Sequence, residues 1–295
     1  MAYLRSFAHT ASVIIIAAAG LALTPVSAQN APATTLTAPS SYADVADFAV
    51  DSAAILIVRI RKVREVDAAR APNLPPRLVR LYVEAEVRSA IYGSDPVARR
   101  IAYLVDQPRL PNGRAPRIKG QTMLLFTRPI TVSNQVQLVR PDTQLVWDAA
   151  REATARAIAA ELARGNVPPA ILGVSQAFHV PGNVAGESET QIFLATSTGS
   201  PVSLTILRRP NEAPRWAAAF GEIVDESAAI PARRTLGWYR LACDLPATLP
   251  AAATADVPSS AMAVTTADYA LVVRALGRCD RTPVMASPAP LPPAR

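Results

Sequence analysis

The chain has 295 residues, half of them apolar, with 27 prolines against 12 glycines and only 18% charged side chains. That balance supplies a buried core and favours strands joined by stiff loops over a helix bundle. The net charge is +7, but the cations are dispersed and aromatics make up only 5%; a nucleic-acid binder concentrates its cations and sets aromatics among them, so that class is set aside.

Arg5 is the only charge in the first 28 residues, and the apolar run "SVIIIAAAGLAL" follows it. The run is shorter than the roughly 20 residues a spanning helix needs. Pro25 then breaks it and "VSA" supplies a small-residue exit, so residues 1–28 are expected to be a secretory signal peptide. No cysteine follows the run, which argues against a lipoprotein-type anchor. The expected location is the periplasm or the outside of the cell. The polar, proline-bearing stretch 29–40 is expected to be a disordered leader.

From residue 41 the pattern turns to folded structure. "SYADVADFAVDSA" spaces Val45, Phe48 and Ala49 as a short helix. "AILIVRIRKV" has the β-branched density of a strand that becomes half exposed at Arg59 and Arg61. In "LYVEAEVRSAIYG", Leu81, Val83, Ala85 and Val87 face one way, while Tyr82, Glu84, Glu86 and Arg88 face the other. "RRIAYLV" and "QTMLLFTRPI" are two further expected strands, and "QVQLVR" a fifth. Five strands after a short helix imply a small closed or nearly closed barrel over residues 41–146.

The order "AILIVRIRKV", "LYVEAEVRSAIYG", "IKGQTMLLFTRPI" resembles that of netrin-like domains, OB-type barrels that include the tissue inhibitors of metalloproteases. The resemblance covers residues 41–146, rests on hydrophobic pattern, and implies a barrel. In that family cysteines brace the barrel and an N-terminal cysteine can chelate a target's metal. Residues 41–146 hold no cysteine, so no inhibitory mechanism is implied.

"WDAAREATARAIAAELARG" is an expected connecting helix over 147–165, capped by Asp148 and ended by Gly165. A second β-rich module is expected over 166–282: strands at "AILGVSQAFHV", "RWAAAFGEIV" and "TLGWYRLAC", and a hairpin at "TQIFLATSTGSPVSLTILRR". "TTADYALVVRALG" suits a helix with Thr265 and Asp268 as a capping box, although "ALVV" also suits a strand. Residues 283–295 are an expected proline-rich, disordered tail. The expected class is therefore mainly β (α+β): a small OB-like antiparallel barrel, a helix, and a second β-rich module.

Chemistry-bearing residues are scarce. Export places Cys243 and Cys279 in an oxidising space, where a lone pair of cysteines becomes a disulfide; closing the intervening loop contributes about 3–4 kcal/mol in the chain-entropy model. After signal cleavage one histidine remains, His179, and no zinc-type spacing occurs, so neither metal nor cofactor is expected. Ser175 in "GVSQA" falls one glycine short of a nucleophile elbow, with His179 four residues on. Positions four apart on a strand stand about 13 Å apart, too far for a serine–histidine hydrogen bond. Glu187 with Glu189, and Asp225 with Glu226, are the remaining carboxylate pairs. Arg59, Arg61, Lys62 and Arg64 form the densest basic cluster and are the candidates for binding anionic lipid or glycan.

The resulting expectation is an exported, non-catalytic envelope protein that binds another macromolecule. A hydrolase using Ser175 or a carboxylate pair is the alternative, and peripheral contact with an anionic membrane surface or glycan is the third.

Overall fold

The computed structural model describes residues 41–94, 96–165, 167–221 and 228–282. The expected signal peptide, leader and tail, and the pair Asp225–Glu226, lie outside the described residues. The fold is mainly antiparallel β, as the sequence implies. Five strands, β1 (Ala54–Glu65), β2 (Leu78–Tyr92), β3 (Arg100–Pro108), β4 (Thr122–Thr127) and β5 (Gln144–Val146), form a curled half-barrel sheet in the order β3-β2-β1-β4-β5. A second sheet runs in simple order through β6 (Ile171–Pro181), β7 (Ser188–Thr196), β8 (Val202–Arg208) and β9 (Arg215–Ala219). Helices α1 (Tyr42–Ala49), α2 (Ala149–Ala163), α3 (Leu236–Asp244) and α4 (Met262–Leu276) complete the described elements. No helix among the described residues is long and apolar enough to cross a membrane.

β1 is the hinge of the packing because its first half is apolar on both faces. Ala54, Leu56, Val58 and Ile60 point into the curl of the first sheet, against Val79, Leu81, Val83, Ile101, Tyr103 and Leu125. Ile55 and Ile57 point the other way, into a second core built with α1, α2, α3, α4 and the inner face of the second sheet. From Arg59 onward that second face carries charge and is exposed. At the start of the strand Gly93, at φ +103°, lies so close that a Cβ would come within 2.7 Å of the Ala53 carbonyl oxygen.

The expected fifth strand at 135–140 is replaced by something different. That segment makes only isolated bridges, Gln135 to Ala102 of β3 and Leu138 to Thr127 of β4, and the paired fifth strand is Gln144–Val146. The reason lies in its path between two edges. Ala102 N donates to Asn134 O (2.9 Å) and Asp106 N to Pro141 O (2.7 Å), while Arg128 N donates to Gln137 O (2.8 Å). The segment thus serves β3 at some residues and β4 at others, and it spans the gap in the curled sheet.

Two further expectations change. "TLGWYRLAC" forms helix α3, not a strand: the Thr235 hydroxyl caps it by accepting from Trp238 N (3.3 Å). Leu236 with Tyr239, and Trp238 with Leu241, bury at three-residue spacing, which a helix places on one side. The stretch 265–277 is helical, but α4 begins earlier, at Met262. Thr265 therefore sits inside it, its hydroxyl donating to Ala261 O (2.9 Å), and the expected capping box is absent. α2 follows expectation, with Asp148 Oδ1 accepting from Arg151 N (2.7 Å) and Gly165 past its end at φ +78°.

The first and last described segments are fastened to each other. Cys243 in α3 is bonded to Cys279, and the residues beyond it grip α1. Arg281 donates from Nε (2.8 Å) and Nη2 (2.9 Å) to the two carboxylate oxygens of Asp47, which also accepts from the Tyr239 hydroxyl. The Thr282 backbone N and hydroxyl donate to Asp44 at 2.7 and 2.6 Å. A bidentate guanidinium–carboxylate pair fixes orientation as well as proximity, so the disulfide and this pair together hold the segment after α4 on α1.

Tyr42, Tyr103, Tyr239 and Tyr269 are all buried. Desolvation pushes each phenol above its ordinary value, Tyr269 to about 12. The folded state then keeps protons that the unfolded chain releases near pH 10. This stabilisation is complete below pH 10 and is lost as pH rises through 12. Alkaline titration should show phenolate absorbance from these rings rising together with loss of near-ultraviolet dichroism; ionisation of all four rings with dichroism intact would contradict their burial.

Candidate functional site: the outer face of β2 and β3

The helices and second sheet cover only part of the first sheet. Beyond Arg59, the outer face of β1, β2 and β3 is open, and it carries the alternate residues that the β2 pattern assigns to the wet side. Cross-strand partners there are Arg80 with Asp106, Tyr82 with Leu104, and Glu84 with Ala102. Two concavities lie on this face, of about 1080 and 510 Å³. Both are lined by Tyr82 and Ala102, so they adjoin, and together they are called the groove. Its floor holds an unusual pair for a solvated sheet: Tyr82 and Leu104 are 38% and 49% exposed.

The basic cluster borders this groove, but most of its charge is already paired. A bulge between Ile60 and Lys62 makes Arg61 the extra residue, so Arg59 lies opposite Glu86 and Lys62 opposite Glu84. Glu86 accepts from Arg61 and lies near Arg88 and Arg99. The Arg61 hydrogen bond holds its carboxyl below the usual carboxylate range. Glu84 pairs with Lys62 (3.1 Å) and Arg64 (3.6 Å). Arg59 is exposed and makes no ion pair among the described residues. At the opposite end Arg80 Nε and Nη2 grip Asp106 at 2.7 and 2.8 Å, and this hydrogen bonding raises the guanidinium's affinity for its proton.

Sequence reasoning missed three groove cations, because they come from separate segments. Arg70 closes a short 3-10 turn after β1, Arg100 starts β3, and Arg128 follows β4. None has a carboxylate partner among the described residues; Arg128 only donates to the Val139 carbonyl (3.3 Å). Gln135 and Gln137 line the same groove and are exposed, while Val136 and Leu138 between them enter the barrel core. The alternation in "QVQL" was the available signal for this placement.

The catalytic candidates do not converge. Ser175 sits exposed at a bulge in β6, its hydroxyl donating to Phe193 O (3.0 Å). His179 lies further along β6 opposite Thr190 of β7, and its Nδ1 is 2.9 Å from the Thr190 hydroxyl oxygen. Thr190 in turn donates to Asp268 Oδ2 of α4 (2.6 Å), so its single proton is committed and His179 Nδ1–H must donate. Arg208 Nε holds the other oxygen of Asp268 (2.7 Å). Thr190 and Asp268 are fully buried, so this His179–Thr190–Asp268–Arg208 chain ties β6, β7 and β8 to α4 rather than presenting a nucleophile to solvent. Glu187 closes the β6–β7 turn, its carbonyl accepting from Gly182 N (2.8 Å), and Glu189 accepts from Gln191 (2.6 Å). No group of three or more His, Cys, Asp or Glu gathers at one point among the described residues.

No family model and no curated protein matches the chain. The groove and the buried chain are therefore read on their own chemistry. Asp268→Ala removes the acceptor of both Arg208 and Thr190 and should lower the free energy of unfolding in urea by about 3 kcal/mol. Ser175→Ala, at an exposed bulge, should change it by less than about 0.5 kcal/mol; the reverse order would contradict the assignment.

Proposed function

We propose that the protein is an exported, non-catalytic envelope protein whose outer β2–β3 groove binds another macromolecule. The observation that carries this reading is the groove itself, where an aromatic ring and a leucine stand exposed on a sheet face between rows of charge. Apolar side chains held open inside a polar rim mark contact surfaces. Export is supported by the charged start, short apolar run and small-residue exit of residues 1–28, and by the Cys243–Cys279 bond, a linkage suited to oxidising compartments. Kinship of residues 41–146 with netrin-like domains is part of the same proposal, supported by the curled antiparallel sheet. The chemistry side is equally consistent: Ser175 and His179 each bond elsewhere, and the buried carboxylates Asp268 and Asp106 are held by Arg208 and Arg80.

Purified protein should co-sediment with washed envelope fragments of the producing cell, and Tyr82→Ala with Leu104→Ser should reduce the bound fraction at least about tenfold while leaving the melting temperature unchanged. Absence of co-sedimentation, or ester or glycoside turnover abolished by Ser175→Ala or Glu187→Gln, would overturn the proposal.

A further inference from the structure

We propose that the groove's ligand is an acidic, uronate-type polysaccharide; this rests on the binding reading above and names its ligand class. The first observation is which groups the groove offers. An uninterrupted run of backbone pairing is not open to an incoming chain, because β2 is internal and the outer edge of β3 is taken on both sides of Leu104: Ala102 N donates to Asn134 O, Val136 N to Ala102 O, and Asp106 N to Pro141 O. A peptide adding itself as a strand needs that edge. What remains is a side-chain surface, and its composition is specific. Tyr82, the planar amides of Gln135 and Gln137, and the guanidinium groups of Arg70 and Arg128 line the larger concavity together. Aromatic faces and planar amides match the alternating C–H and O–H surfaces of a sugar ring.

The second observation is where the charge is unspent. The carboxylates Glu65, Glu84, Glu86 and Asp106 are each engaged by at least one cation, while Asp67 at the larger concavity accepts from the Ala69 backbone N (2.9 Å) and has no cation partner among the described residues. Arg70 and Arg128 at the larger concavity, and Arg100 at the smaller, have no carboxylate partner among the described residues. A guanidinium holds a carboxylate bidentately, with the planar geometry a uronate group presents. Separate arginines along two adjoining concavities fit a polymer that repeats its carboxylate at intervals. A single compact anion would call for guanidinium groups converging on one point. The repulsion of Glu65, Glu84, Glu86 and Asp106 toward such a ligand is offset by their own cations, and against the single carboxylate of Asp67 stand the three guanidinium groups of Arg70, Arg100 and Arg128, which set affinity.

The test uses the purified chain and calorimetric titration with an oligouronate of about eight sugars. Its carboxyl-reduced neutral counterpart and a polyglutamate peptide of equal charge are the comparison ligands. The expected result is binding of the oligouronate that weakens with added salt and is at least tenfold weaker for the neutral sugar and for the peptide. Arg70→Gln with Arg128→Gln, and separately Tyr82→Ala, should each weaken it about tenfold or more at unchanged melting temperature. No binding to the oligouronate, equal binding to polyglutamate, or binding unaffected by these substitutions overturns the inference. Envelope co-sedimentation that persists in the absence of oligouronate binding removes the ligand class while the binding function stands.

Discussion

The two-sided burial of the first half of β1 is the constraint on which the rest of the structure depends. A strand with one apolar face can sit on one core, but Ile55, Leu56, Ile57 and Val58 are all buried and alternate between two. On one side they fill the curl of the first sheet. On the other they join α1, the long α2 and the inner face of the second sheet. The shared strand is why the described residues form one compact unit. Burying the large aliphatic side chains of β1 on both faces contributes about 1.5–3 kcal/mol each, and that contribution is available only when both neighbouring layers are present.

The same strand explains the open groove. At Arg59 its outer positions change from isoleucine to charge, and the covering layer stops there. The exposed half of the sheet then needs another way to remain soluble. Glu84 and Glu86 of β2 supply it by pairing with cations of β1, so surface ion pairs here organise side chains more than they stabilise the fold. Tyr82 and Leu104 are left between the charged rows because none of the described residues covers them fully. Segment 133–141 covers part of the half-barrel's edge and lines the groove, so covering that edge and forming the groove are one event.

Much of the barrel was legible in the sequence because its signals are local. The period-two pattern of β2 assigned Leu81, Val83 and Ala85 inward and Tyr82 and Glu84 outward, as found. Asp148 and Gly165 bounded α2 by capping chemistry alone, and the export argument paired Cys243 with Cys279. The failures share a cause in tertiary context. "QVQLVR" alternates like a strand, yet its partners are divided between two edges. "GWYRLAC" has strand-like aromatics, yet its burial repeats at helical spacing. Asp268 suggested a cap and instead receives Arg208 from another element, a pairing across 60 residues that no local pattern encodes. The groove was only half visible: the cluster Arg59, Arg61, Lys62 and Arg64 drew notice, but the bulge at Arg61 and the facing carboxylates determine how much of its charge is spent.

The terminal clamp completes the picture. α1 lies on the second core and is gripped by Arg281 and Thr282 from the far end of the chain, beyond the disulfide. Opening either sheet alone would expose the shared face of β1, so the account predicts one cooperative unit. Native-state hydrogen exchange tests this most directly. The amides of Ile55–Val58 in β1 and of Thr190–Leu194 in β7 should exchange through openings whose free energies agree within about 1 kcal/mol. Exchange of the β7 amides through an opening several kcal/mol cheaper, with β1 still protected, would show the second sheet unfolding by itself and would contradict the shared-strand account.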